Sequence, residues 1–213
     1  VRPTFLEQTD IEGLRFDFSQ RTLRLSRRPL IASVDGNAIP LLDLRPLGAP
    51  IAQYACAVHK LIVNGKIVEL ERPCVAIIDT GTTGLVVSDT LYDSDELPIP
   101  GAAMRNVELQ MITERGGLCS LCASRRPAPT PPEVDTFPLI VTPVSLGWFN
   151  RPIRAGSARP ARAAPAGDKA DTVSSSKSSL APHVLFVGLA FLTQTRLTID
   201  CGTQRMRIEY PSQ

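Results

Sequence analysis

Several features that mark common protein classes are missing from this sequence. It has no run of about 18 uncharged apolar residues, so no segment is predicted to cross a membrane as a helix. Its 23 Lys and Arg nearly balance its 21 Asp and Glu, which leaves a net charge of +2 and no electrostatic footprint for nucleic acid. Neither a membrane span in this segment nor a nucleic-acid partner is therefore predicted.

Metal ligands and disulfide cysteines are also scarce. The five cysteines are an odd and dispersed set, too sparse for a disulfide scaffold. Cys119 and Cys122 have the spacing of metal ligands, but a zinc site needs two more. The two histidines, His59 and His183, are far apart in the chain. No metal site is predicted.

Long helical patterns are hard to find, whereas turn residues are abundant. The chain has 14 glycines and 19 prolines, which suit short strands joined by turns. Apolar and polar residues alternate over 14–25 about a turn at Ser19-Gln20, and 197–208 shows a closely similar pattern. These two predicted hairpins indicate an internal repeat. The alternative is that two amphipathic hairpins resemble each other by chance.

Further strands are predicted between these two hairpins. Residues 56–63 and 66–70 flank the turn Asn64-Gly65, a strong signal for a β-hairpin. The continuous apolar run Val75–Ile78 predicts a strand buried on both faces. Other strand candidates are 107–112, 137–142 and 184–187, and Ser88 is the candidate cap of a short helix. Residues 154–182 have almost no large apolar side chains and are predicted to be a disordered insertion.

The segment most indicative of chemistry is Asp79-Thr80-Gly81-Thr82-Thr83-Gly84, which directly follows the predicted buried strand. A glycine at 81 allows backbone amides to approach the Asp79 carboxylate. Hydroxyls at Thr80 and Thr82 can hold the orientation of that carboxylate. The simpler alternative is that Asp79 caps a helix after a strand.

This segment resembles the active-site motif of the aspartic proteases, two hydrophobic residues followed by Asp-Thr-Gly-Thr/Ser, here from Ile77 to Thr82. Later in the chain, Phe186-Val187-Gly188 resembles the hydrophobic-hydrophobic-Gly strand of that family. Residues 54–78 resemble the approach to this motif in the second lobe of pepsin-like enzymes. The resemblance implies an all-β lobe, a closed or sandwiched β-barrel with little helix.

For function, the resemblance implies that Asp79 is one half of a catalytic pair, with Thr80, Gly81, Thr82 and Thr83 as its active-site loop. Two carboxylates about 3 Å apart share one proton, one acting as general base on water and the other polarising the scissile carbonyl. The implied substrate is a polypeptide, and no cofactor is implied because water is the nucleophile. The family resemblance also favours a secretory or endomembrane compartment.

The chain contains a single Asp-Thr-Gly, so the second aspartate has to come from elsewhere. A preceding lobe on the same chain, as in pepsin, is favoured by the repeated hairpin: residues 1–30 are then its closing hairpin or inter-lobe strands, and 31–213 are the second lobe. A second identical chain, as in retroviral proteases, is the other source. A non-catalytic binding or scaffold module remains open as well, because Leu189 follows Gly188 where pepsins usually have Asp.

Overall fold

The computed structural model describes residues 8–50, 53–97, 103–125, 137–147 and 181–211. These residues form fourteen strands and two short α-helices. In this part of the chain, no helix has both the length and the hydropathy needed to cross a membrane. The predicted all-β fold with little helix is confirmed.

The elements are β1 (Gly13–Asp17), β2 (Thr22–Ser26), β3 (Ile39–Pro40), β4 (Ala55–Val58), β5 (Lys60–Val63), β6 (Lys66–Val68), β7 (Cys74–Ile78), β8 (Leu85–Ser88), α1 (Asp89–Tyr92), β9 (Asn106–Ile112), β10 (Leu118–Ser124), β11 (Val141–Val144), β12 (His183–Val187), α2 (Leu189–Leu192), β13 (Arg196–Asp200) and β14 (Arg205–Glu209).

The strands pair into three sheets, and this pairing does not close them into one barrel. The terminal sheet has the order β2-β1-β13-β14-β3, the middle sheet β10-β9-β5-β6, and the site sheet β11-β8-β12-β7-β4. The larger of two clusters of buried apolar residues in the described chain includes side chains from all three sheets, among them Leu109, Leu185 and Leu197. Burial of these side chains is what drives the sheets to pack together.

The terminal sheet joins the two ends of the described chain. Both predicted hairpins are present, as β1–β2 and β13–β14, and β1 pairs antiparallel with β13 at the centre of the sheet. Arg21 and Gln204 occupy equivalent turn positions with positive φ of 52° and 54°. Equal strand lengths and equal turn conformations make the two hairpins conformational repeats of each other.

The middle sheet contains the predicted Asn64-Gly65 turn, in which both residues have positive φ, and β5 and β6 flank it. The single strand predicted over 56–63 is instead two strands that belong to different sheets. The break falls at His59, whose backbone amide donates to the carbonyl of Gln110. Before this residue β4 pairs with β7, and after it β5 pairs with β9.

The site sheet is built around β7, whose five residues are all buried as predicted. On one side β7 pairs with β4, and on the other it runs parallel to β12. Strand β12 in turn pairs antiparallel with β8, which runs parallel to β11. The segment that connects β7 to β8 therefore loops around the end of β12, which lies between them.

Three local predictions differ from the structure or lie outside it. The strand predicted over 137–142 begins only at Val141, because the amide of Leu139 donates to the carbonyl of Ser124 on β10 rather than to β8. Helix α1 follows Ser88, but the Ser88 hydroxyl does not cap it; this hydroxyl accepts a hydrogen bond from the amide of Val184 instead. The insertion predicted at about 154–182 lies almost entirely outside the described residues.

A buried histidine anchors the beginning of β12. The His183 side chain is fully buried, with Nε2 3.0 Å from Oε1 of Glu96 and Nδ1 3.2 Å from Oγ1 of Thr90. Burial lowers the pKa of His183 below its ordinary value of 6.5, while the Glu96 carboxylate acts in the opposite direction and Arg72 adds to the lowering. The folded chain therefore favours the neutral imidazole.

This burial predicts a loss of stability on acidification. As the pH falls through about 6.5, the unfolded chain binds a proton at His183 that the folded chain binds only at lower pH, so the free energy of unfolding decreases. Urea unfolding between about pH 7.5 and about pH 5.5 measures this slope. His183→Gln is expected to make the slope shallower, whereas His59→Gln, at an exposed position, is expected to leave it unchanged. Equal slopes in wild type and His183→Gln would contradict the assignment.

Candidate functional site

Asp79 lies immediately after the last residue of β7, where the buried strand meets the surface. Its amide donates to the carbonyl of Val187, at 3.0 Å, and the amide of Ile78 donates to the carbonyl of Tyr54. These bonds continue the ladders to β12 and β4 by one residue each. The backbone that carries the Asp79 side chain is consequently held from both sides.

Two hydrogen bonds orient the Asp79 carboxylate. The amide of Gly81 donates to Oδ1, at 2.9 Å, and the hydroxyl of Thr82 donates to Oδ2, at 2.7 Å. The residue is partly exposed, and within the described part of the chain it takes part in no ion pair. Each oxygen thus receives one fixed donor and keeps further acceptor capacity for water or a ligand.

Two other aspartates at strand ends are occupied by structural contacts. Asp200 is fully buried and accepts hydrogen bonds from the amides of Leu30 and Ile31. Asp17 accepts from the hydroxyl of Ser19 and pairs with Arg196, and both interactions lower the pKa of Asp17. Of these three carboxylates, that of Asp79 is the one left accessible without a cationic partner.

The remaining threonines of the predicted loop differ in role. Thr80 and Thr83 are both exposed. The carbonyl of Thr83 accepts a hydrogen bond from the amide of Ala190. Among the described residues no hydrogen bond joins the Thr80 side chain to Asp79, so the orienting role predicted for two hydroxyls falls on Thr82 alone.

The predicted Phe186-Val187-Gly188 segment lies directly beside this loop. Val187 is buried and Phe186 is partly buried at the end of β12. Past Gly188 the amide of Leu189 donates to the carbonyl of Thr82, and the amide of Gly188 donates to the carbonyl of Gly84, at 2.8 and 2.9 Å. The loop that follows Asp79 is therefore bonded, backbone to backbone, to the end of β12.

This close approach explains the glycine at 188. A Cβ atom added there would lie 2.2 Å from the carbonyl oxygen of Thr82 and 2.7 Å from that of Gly84. Both distances are far below van der Waals contact, and both neighbours are backbone atoms that cannot rotate away. Glycine is required here for space.

Gly84 also shapes the loop that follows Asp79, a role that the sequence alone did not indicate. A Cβ atom at 84 would lie 2.1 Å from the carbonyl oxygen of Ile140, which also accepts the amide of Leu85. The only feature of the sequence that points to this role is that the segment beginning at Asp79 ends with a second glycine. Gly84 lets the chain leave the loop and enter β8 alongside β11.

The other sequence candidates do not assemble into a site. Cys119 and Cys122 both lie on β10, three positions apart, so their side chains point to opposite faces of the strand. None of the five cysteines forms a disulfide. In the described ranges no group of three or more His, Cys, Asp and Glu is placed to hold a metal ion.

A cavity of about 460 Å³ borders α2, but residues 79–84 do not line it. Its walls include Glu108, Cys122 and Tyr210. The phenol of Tyr210 donates a hydrogen bond to the carbonyl of Ser120. The oriented carboxylate of Asp79 is therefore separate from this cavity.

Comparisons with known proteins identify no family for this chain. No family model matches the sequence, and no curated protein matches it. Among solved structures, basic 7S globulin from soybean matches with a TM-score of 0.45 and 11% identity, over 94% of this chain. The chain spans half the length of that structure.

Proposed function

We propose that this chain supplies one half of the active site of an aspartic endopeptidase, with Asp79 as one member of the catalytic pair. The observation that carries the proposal is the Asp79 carboxylate itself. It is partly exposed at the end of a buried strand and is oriented by the amide of Gly81 and the hydroxyl of Thr82. A carboxylate fixed in this way, with no ion pair in the described chain, is suited to act on water.

In the proposed reaction, the ionised carboxylate of the pair removes a proton from a water molecule, and the resulting hydroxide attacks the scissile carbonyl carbon. The other carboxyl group, protonated, donates a hydrogen bond to the carbonyl oxygen as negative charge develops there. Collapse of the tetrahedral intermediate breaks the C–N bond, and a carboxyl proton passes to the leaving amine. The nucleophile is water, so the proposal requires no cofactor.

The second carboxylate comes from a second lobe or a second identical chain in this proposal. The exposed residues Thr80, Gly81 and Thr83 leave the loop open to such a partner and to a substrate. A polypeptide in extended conformation is the proposed substrate, held by backbone hydrogen bonds with side-chain pockets setting preference. Thr82 and Gly188 act as positioning residues, because Thr82 orients the Asp79 carboxylate and Gly188 lets the end of β12 approach the loop.

Replacing Thr82 with valine tests the orienting hydroxyl. Valine has nearly the same shape but cannot donate to Oδ2 of Asp79, and a hydrogen bond to a charged group contributes about 1.5–3 kcal/mol. We expect kcat in the assembled enzyme to fall by about 10- to 100-fold, as that free energy implies. Thr82→Ser keeps the hydroxyl and is expected to retain most of the activity. If the valine and serine variants are equally active, Thr82 does not orient the catalytic carboxylate.

A further inference from the structure

The outer face of the middle sheet forms one wall of the cavity of about 460 Å³ beside α2. Strand pairing places Ile62, Glu108 and Cys122 side by side across β5, β9 and β10, and all three residues line the cavity. On β9 the residues of this face alternate with Leu109 and Met111, which are buried in the core. Small-molecule sites typically have volumes of about 300–1,000 Å³, so the cavity has room for such a ligand.

Glu108 gives the cavity its charge. Of the described residues that line the cavity, it carries the only carboxylate, and none is Lys or Arg. Its Oε1 accepts hydrogen bonds from Nε2 of Gln110 and from the hydroxyl of Ser120, both at 2.8 Å. Its Oε2 accepts no hydrogen bond from the described chain and joins no ion pair with it. One oxygen therefore holds the carboxylate in place, and the other remains available to a ligand.

Aromatic residues from three separate segments also line the cavity. They are Phe137, which precedes β11, Phe191 on α2, and Tyr210, which follows β14. Phe, Tyr and Trp make up only 5% of the chain, so three rings at one cavity are a local concentration. Phe191 is buried in the core, and the phenol of Tyr210 donates to the carbonyl of Ser120 at 3.0 Å. Aromatic faces attract cations as well as apolar groups.

We infer that this cavity binds a small organic cation, an amine or quaternary ammonium group carried on an apolar body. The cationic group pairs with Oε2 of Glu108 against the aromatic rings, and the apolar body contacts Ile62 and Phe191. The cavity selects against an anion, because no Lys or Arg is among its described lining residues. A neutral ligand would take water away from the Glu108 carboxylate without giving it a partner, which is costly.

Three small molecules of similar size and different charge test the inference: phenethylamine, phenethyl alcohol and phenylacetate. Each is titrated at neutral pH into the isotope-labelled protein, and the backbone amide shifts are followed by NMR. We expect phenethylamine to cause saturable shifts around Glu108, Cys122 and Phe191. The alcohol and the acid are expected to bind at least about 10-fold more weakly, because neither can pair with the carboxylate.

Substitutions in the cavity separate the charge from the rings. Glu108→Gln keeps the shape of the side chain and can still accept from Gln110 and Ser120, but it removes the charge. It is expected to weaken phenethylamine binding by about 10-fold or more and to leave phenethyl alcohol binding unchanged. Glu71→Gln, at an exposed position outside the cavity, is the matched control and is expected to change neither. Phe137→Leu is expected to weaken amine binding by about 2- to 5-fold, because leucine has no aromatic face.

Equal affinities for the amine, the alcohol and the acid would overturn the inference, as would equal effects of the Glu108 and Glu71 substitutions. So would the absence of saturable shifts from phenethylamine below about 10 mM, or shifts confined to residues outside the cavity. None of these measurements depends on peptide hydrolysis, because residues 79–84 do not line the cavity. A protein that binds phenethylamine at Glu108 but cleaves no peptide would overturn the proposed function alone.

Discussion

Replacing Asp79 with asparagine is expected to lower kcat for peptide hydrolysis by about 10²- to 10⁴-fold in the assembled enzyme, the usual contribution of a general acid or base. Asparagine has the same shape: its carbonyl oxygen can still accept from the amide of Gly81, and its amide nitrogen can donate to the hydroxyl of Thr82. It cannot take a proton from water. The fold is expected to survive, because Asp79 is partly exposed and its backbone bonds are unaffected.

The measurement is hydrolysis of a mixed peptide library at acid pH by the protein that contains both halves of the site. Asp95→Asn provides a matched control, since Asp95 is exposed and lies outside the site. If the Asp79→Asn and Asp95→Asn variants cleave peptides equally well, Asp79 does not do the chemistry. A correctly folded wild type with no activity at any pH would favour the non-catalytic binding module.

Replacing Gly188 with alanine is expected to have the largest effect on stability. The added methyl group would lie 2.2 Å from the carbonyl oxygen of Thr82, so the loop after Asp79 and the end of β12 must separate. Overpacking of this kind typically costs about 1–3 kcal/mol in the free energy of unfolding. The separation also breaks the hydrogen bond from Leu189 to Thr82, so catalytic activity is expected to fall in the molecules that remain folded.

Urea unfolding and hydrolysis assays on the same preparations would measure both effects. Gly147→Ala is the matched control, because a Cβ atom at 147 would meet no atom of the described residues within 4 Å. If the 188 and 147 variants unfold at the same urea concentration, the close contact between β12 and the Asp79 loop does not exist in solution.

The sequence predicted those features that depend only on residues close together along the chain. Val75–Ile78 is a continuous apolar run, and such runs are buried wherever they form strands, so the strand before Asp79 could be predicted. The Asn64-Gly65 turn could be predicted for a similar reason, because few residues adopt positive φ readily. Both hairpins of the terminal sheet have a strict alternation that predicts one buried face; β13 and β14 bury that face, but Leu23 and Leu25 on β2 are exposed.

Contacts between distant segments could not be predicted from local patterns. Nothing near Thr82 in the sequence shows that Gly188 will approach it, and nothing near His183 points to Glu96. The break at His59 has the same origin, because it depends on which strands pair on either side of it. Strand β10 was not predicted, since Leu118–Ser124 mixes small, polar and apolar residues without a clean alternation.

The pairing of β1 with β13 sets the order in which the molecule can be completed during synthesis. Strand β1 can pair with β2 as soon as both are made, but its pairing with β13 must wait for Arg196–Asp200, so the complete terminal sheet has a high contact order and forms late. Gly188 likewise reaches the Asp79 loop only after residues 85–187 have been made. A nascent chain therefore carries Asp79 without the strand that shapes its loop until His183–Val187 has been made, and the site matures only after that point.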